Sequence, residues 1–140
     1  MLYDVVVLLG GPGSTGRVNS MADLAEVAQK GLPKQSMRSL MDIMRLKPQD
    51  MAGFLNVTLR NLQRYKDEDL LSSAVSDHLI QLAMLFELGR SVMGSEDFLE
   101  WLSEPCAALE SKRPGEMLKT TTGINTVKNE LYRIEHAVFA

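Results

Sequence analysis

Between positions 58 and 66 stand Thr58, Arg60, Asn61, Arg64 and Lys66, side chains suited to the recognition of nucleic acid. Arginine reaches guanine edges or phosphate, asparagine pairs with adenine, and threonine and lysine serve the sugar-phosphate backbone. To act together they need one short helix that presents them outward, and the preceding residues provide its entry. Ala52 is small where two helices must approach, and Leu55, Val57 and Leu62 form an apolar wedge that fixes their angle. Asn56 occupies the turn, a position that needs a residue tolerant of positive φ. Thr58 reads as the N-cap of the second helix, with Arg60, Asn61, Arg64 and Lys66 as its outward side chains. The run from Met51 to Tyr65 therefore has the layout of a helix-turn-helix that reads DNA.

Other chemistries find less support. Cys106 is the only cysteine, so no intramolecular disulfide can form, and His78 and His136 lie far apart without metal-ligand spacing. No nucleophile with its base, and no pair of carboxylates, occurs at a working distance along the chain. The sequence predicts no catalytic residue, no metal ligand and no cofactor. Gly11 to Gly16 has the G-x-x-x-x-G spacing of a phosphate loop behind the apolar run Val5 to Leu9. Arg17 and Val18, however, stand where that loop needs Lys and then Ser or Thr, and no βαβ pattern follows. The segment is expected to form a short β-strand and a flexible turn. A lone strand cannot satisfy its backbone groups, so this expectation carries another, pairing with a second copy or a partner.

The chain of 140 residues, 45% hydrophobic and 24% charged, can bury one real core or two small ones sharing an interface. Its net charge of -3 argues against DNA binding until the charge is divided along the sequence. Residues 30–66 carry eight bases against two acids, whereas residues 67–140 carry six bases against thirteen acids. Such asymmetry is expected where one part meets phosphate and another meets a different, basic partner. The start, Met1-Leu2-Tyr3-Asp4, lacks the basic region of a signal peptide, and Val5 to Leu9 is too short to span a bilayer. A cytoplasmic protein with no membrane partner is expected.

The rest reads as helices with clear punctuation. Ser20 and Asp23 suggest a capping box opening a helix with Leu24, Val27 and Ala28, which Gly31 and Pro33 close. From Ser36 to about Leu46, Met37, Leu40, Met41 and Met44 repeat at three and four, leaving Arg38, Asp42 and Arg45 outside. Ser76 is expected to cap a central helix that is apolar on almost every face, from Leu79 to Met93 before Gly94. Ser95 starts a shorter helix with Phe98, Leu99, Trp101 and Leu102, and Pro105 stops it. The last helix carries a stripe of Ile124, Val127, Leu131, Ile134 and Val138, with Tyr132, His136 and Phe139 as a second row. Its end, Ala137-Val138-Phe139-Ala140, is apolar enough to need a seat, on its own core or in a partner.

The order and spacing of these features resemble the antitoxins of the Xre/MbcA/ParS type, which pair with toxins carrying a RES domain. The likeness runs from about Ser20 to Ala140. It rests on Gly31-Leu32-Pro33, the run from Met51 to Tyr65, Leu70-Leu71-Ser72 with Ser76-Asp77, Trp101-Leu102 with Pro105, and Pro114 with Met117-Leu118, Thr120 and Gly123. Val127, Leu131, Arg133-Ile134-Glu135 and the closing Val138-Phe139-Ala140 are similar to that family's toxin-binding region. Two features depart from its pattern: Asn56 replaces the commoner glycine at the turn, and Leu109 to Arg113 lacks a glycine pair before the proline.

The resemblance implies an all-α protein, with an Xre-like helix-turn-helix domain over residues 20–75 and a helical toxin-binding domain over 76–140. Residues 1–19 precede them as the strand and turn. The implied function is that of a type II antitoxin, which covers the active site of a NAD-consuming RES toxin with its C-terminal helix and represses its own operon. Tyr132, His136 and Phe139 would be apolar anchors, Arg133 and Glu135 polar contacts, and Val138 and Ala140 would complete the contact set. The implied partners are the toxin, operator DNA, and a second copy in a homodimer or hetero-oligomer. Asp67-Glu68-Asp69 follows the reading helix and repels phosphate, so binding by a single copy is expected to be weak. The alternative is a plain helix-turn-helix regulator whose C-terminal domain only oligomerises.

Overall fold

The computed structural model describes the backbone of residues 1–139 and the side chains of residues 1–137. In chain order the α-helices are α1 (Leu2–Leu8), α2 (Pro12–Thr15), α3 (Met21–Lys30), α4 (Lys34–Met44), α5 (Pro48–Leu55), α6 (Leu59–Gln63), α7 (Ser73–Met93), α8 (Ser95–Ser103) and α9 (Thr121–Phe139). Two short 3₁₀ turns, Ala107–Leu109 and Pro114–Met117, lie between α8 and α9.

The apolar excess of α7 is explained by its neighbours, since α1, α3, α8 and α9 all pack on it. Leu79, Ile80, Leu82, Ala83, Leu85 and Phe86 are buried, and a helix with partners on several sides needs no polar face there. A ladder of rings ties it to the elements on either side. Phe54 of α5 meets Phe86 edge-on at 5.7 Å, Phe86 meets Phe98 of α8 at 5.6 Å, and Phe98 stacks on Trp101 at 6.2 Å. The His78 ring lies 2.7 Å from the Leu118 carbonyl and donates to it, fixing the approach to α9.

The N-terminal segment corrects the sequence reading. Residues 2–8 form a helix, not a β-strand, and Pro12–Thr15 form a helical turn where a flexible one was expected. A helix satisfies its backbone internally, whereas no strand elsewhere in the described chain could pair with this one. It also puts Val5, Val6, Leu8 and Leu9 into the core beside α4 and α7, a gain that outweighs the strand preference of the valine run. With these residues helical, the segment offers no strand edge for a second copy or a partner to pair with.

Two segments distant in sequence clasp each other beside α3. The Leu71 amide donates to the Leu32 carbonyl at 2.8 Å, and Pro33 and Leu70 form an isolated antiparallel bridge. Gly31 takes φ 98°, and a Cβ there would lie 2.4 Å from the Leu71 carbonyl oxygen, so both conformation and space require glycine. Ser76 belongs to this clasp. The sequence suggested it as the cap of α7, but Ser72 caps that helix, its hydroxyl accepting from the Val75 amide at 3.2 Å. The fully buried Ser76 hydroxyl accepts from the Leu32 amide at 2.8 Å and donates to the Leu71 carbonyl.

The same crossing starts α4. Pro33 offers no capping side chain, and the Lys34 and Gln35 amides donate instead to the carbonyls of Asp69 and Asp67, at 2.9 and 3.0 Å. Replacing Ser76 by alanine strands the Leu32 amide and should lower unfolding free energy by about 1–3 kcal/mol. Gly31→Ala should cost about 2 kcal/mol or more, from its backbone conformation and the carbonyl it meets. Urea unfolding checks both; a shift below about 0.5 kcal/mol for either variant would contradict the clasp.

Candidate nucleic-acid and partner-binding surfaces

The helix-turn-helix is built as its residues suggest. Pro48 opens α5, and the Lys47 amide donates to the Asp50 carboxylate at 3.0 Å. Asn56 ends the helix in the left-handed region at φ 55°, ψ 44°, and the Val57 amide reaches back to the Ala52 carbonyl at 3.0 Å. This is the closed C-terminal turn in which glycine or asparagine is favoured. The Thr58 hydroxyl then accepts from the Asn61 amide at 3.1 Å and opens α6. Leu55 and Leu62 are buried and Val57 half-buried, so the wedge holds the two helices at their angle.

Thr58, Arg60, Asn61 and Arg64 are exposed together, Arg60 and Asn61 on α6 itself and Arg64 at its C-cap. Lys66 departs from the expectation. With α6 ending at Gln63, it lies in the following turn, where its amide donates to the Asp69 carboxylate at 2.8 Å, so it is not a side chain of the second helix. The turn forms because Asp67 and Asp69 carbonyls are drawn to the start of α4. The Arg64 guanidinium sits 5.8 Å from the Tyr65 ring centre, a contact that helps hold it at the helix end.

The acidic run after α6 is largely engaged within the chain. Asp67 forms an ion pair with Arg38 at 2.5 Å, and Asp69 accepts from Lys66, which leaves Glu68 exposed. The hydrogen bond to Asp67, and then its charge, hold the Arg38 guanidinium above its ordinary pKa. Lys34 is likewise taken, its Nζ donating to the Tyr65 carbonyl at 2.7 Å. These pairings, between residues some thirty positions apart, had no signal in the local sequence pattern. They give two of the eight bases of the basic segment partners within the chain, although the Arg38–Asp67 pair stays exposed to solvent.

At the other end, α9 packs on α7 and on the Pro114–Met117 turn. Ile124, Val127 and Leu131 are buried and Ile134 is half-buried. Tyr132 is 40% exposed, His136 is exposed and Glu135 half-buried. Arg133 is committed within the helix: its Nε donates to both Glu130 carboxylate oxygens, at 3.1 and 2.9 Å. Glu130 is buried, and this guanidinium is its counter-charge. The hydrogen bond to Glu130, followed by its charge, raises the Arg133 pKa above the usual value. The candidate contacts Val138, Phe139 and Ala140 fall outside the residues whose side chains are described. The loop before α9 solves the missing glycine pair by placing Glu110 and Ser111 at φ 60° and 64°, in the region glycine favours. Among the described residues, no helix is long and apolar enough to cross a membrane.

A short capped helix after a tight left-handed turn, set on a helical scaffold with its basic face outward, defines a helix-turn-helix protein. Residues 23–84 match the family model of the antitoxin Xre-like helix-turn-helix domain. Residues 81–137 match that of the antitoxin Xre/MbcA/ParS C-terminal toxin-binding domain. The chain belongs to the Xre/MbcA/ParS antitoxins, and its two domains are those of a type II antitoxin. A comparison with curated proteins gave no match. The turn geometry makes a direct prediction: Thr58→Ala should cost about 1 kcal/mol of stability through the lost cap. Asn56→Gly should be neutral or stabilising, whereas Asn56→Val should destabilise strongly; thermal unfolding of the three variants orders them.

Proposed function

We propose that this antitoxin neutralises a RES-domain toxin that consumes NAD, by laying the later turns of α9 across the toxin's active cleft. The reading is carried by the way α9 divides. Its first half is sunk against α7 through Ile124, Val127 and Leu131, while Tyr132 and His136 stand toward solvent. An exposed aromatic ring on a braced helix gives a partner large contact area at little entropic cost. Glu135 would add a polar contact, and Val138, Phe139 and Ala140 would extend the apolar row. Arg133 is a weaker anchor, because withdrawing it from Glu130 leaves a buried carboxylate without its counter-charge.

Operator binding is the second half of the proposal. Arg60 and Asn61 would face base edges, while Thr58, Arg64 and Lys66 hold the backbone. Since α6 spans only Leu59–Gln63, each copy offers a short reading surface. Useful affinity then comes from two copies acting together, in a homodimer or a toxin-bound assembly. The DNA-facing part, residues 20–75, and the toxin-facing part, 76–140, would be joined through α7. A cytoplasmic setting fits both partners.

Co-expression with the adjacent open reading frame tests the first half. Intact chain should restore growth and NAD level, removal of residues 137–140 should abolish rescue, and Tyr132→Ala with His136→Ala should weaken it. A harmless neighbour, or full rescue by the truncated chain, would overturn this mechanism. For the second half, Arg60→Ala with Arg64→Ala should weaken operator retention at least about tenfold and flatten its salt dependence. Unchanged retention would remove α6 from the DNA contact.

A further inference from the structure

An open groove of about 490 Å³ runs between α5 and α8, apart from both surfaces described above. Leu46, Phe54, Leu99 and Leu102 make its floor, and Arg45 and Lys119 stand at its rim. No residue of α6 or α9 lines it. Of the rim acids, Glu116 pairs with Arg113 at 3.4 Å, while Asp50 accepts from the Lys47 amide at 3.0 Å and keeps its charge. Arg45 and Lys119 are exposed and form no ion pair among the described residues. The result is an apolar trough whose rim stays net positive, Arg45 and Lys119 against the single unpaired carboxylate of Asp50.

Gly53 points the same way. It sits inside α5, where alanine would make a better helix, and a Cβ built there meets nothing within 4 Å. No neighbour in the chain requires the missing side chain; its effect is to keep the groove open. Arg45 ends α4 at φ 57°, ψ 44°, a seat glycine or asparagine would hold with less strain. An arginine there brings a guanidinium to the rim instead.

We propose that this groove docks a short segment of a partner protein presenting a large apolar side chain flanked by carboxylates. The apolar group would lie over Gly53 between Phe54 and Leu102, and the carboxylates would meet Arg45 and Lys119. Nucleic acid would use the two cations but would leave the apolar floor in water, which favours an acidic peptide. A partner seated here leaves α6 and the exposed row of α9 free, so a third component can join without displacing either.

The test is a ¹H–¹⁵N NMR titration of the full chain with the peptide Asp-Glu-Leu-Phe-Glu-Asp, against Lys-Lys-Leu-Phe-Lys-Lys as control. Shifts should gather at the amides of Gly53, Phe54, Leu99 and Gly115 with the acidic peptide alone. Gly53→Leu should abolish them by filling the trough, and Gly53→Ala should retain them. Arg45→Glu with Lys119→Glu, both exposed changes that leave the floor intact, should weaken binding at least about tenfold. Absent shifts, equal response to both peptides, or shifts centred elsewhere would overturn the proposal. So would movement of the same resonances with protein concentration alone, which would give the groove to a second copy.

Discussion

The contact between Gly31–Pro33 and Leu70–Leu71 is the constraint on which the arrangement of both surfaces rests. At this crossing two backbones approach too closely for any side chain at position 31, and the Ser76 hydroxyl bonds to both segments of the crossing. The consequences spread outward through hydrogen bonds. The segment after α6 is pulled over the start of α4, where the Asp67 and Asp69 carbonyls take its unpaired amides. That fixes where α6 must end, and therefore which of the basic side chains stand on it. It also fixes the register of α7, since Ser76 lies in that helix's first turns.

From there α7 acts as a shared beam. The two family matches overlap at residues 81–84, within this helix. The helix-turn-helix is linked to α7 through Phe54 on Phe86, and α9 lies along another side. Gly89 gives α8 its close seat, because a Cβ there would fall 2.2 Å from the Phe98 ring. One buried core thus runs beneath both candidate surfaces. A substitution in the buried face of α7 would disturb both together, whereas the exposed side chains of α6 and the outer row of α9 can vary with little cost to folding.

Electrostatics shows how placement changes the meaning of a charge. Asp67-Glu68-Asp69 directly follows the basic helix and reads as repulsion toward phosphate, yet Asp67 neutralises Arg38 and Asp69 holds the Lys66 amide. The basic segment loses Arg38 and Lys34 to internal partners in the same exchange. What faces solvent at α6 is therefore a smaller positive set, Arg60 and Arg64 with Lys66 beyond the helix end. On α9 the same logic separates Arg133, bound to a buried carboxylate, from Tyr132 and His136 beside it.

By itself the sequence determined whatever depends on neighbours a few positions apart. The turn at Asn56, the cap at Thr58, the cap at Ser20, whose hydroxyl accepts from the Asp23 amide, the stripes of α4 and α9 and the all-round apolar character of α7 are local or periodic signals, and they were legible. So was the antitoxin family, through the order of many such signals. Tertiary structure decided what depends on distant partners. Val5-Val6-Val7 became helix because only a helix could bury its side chains and satisfy its backbone without another strand. Ser76 became a core acceptor because Leu32 arrives there from 44 residues away. Lys66 lies beyond α6 because carbonyls of the turn that follows it are bound at the start of α4. In each case a buried polar group had to find a partner, and no local pattern records which distant group supplies it.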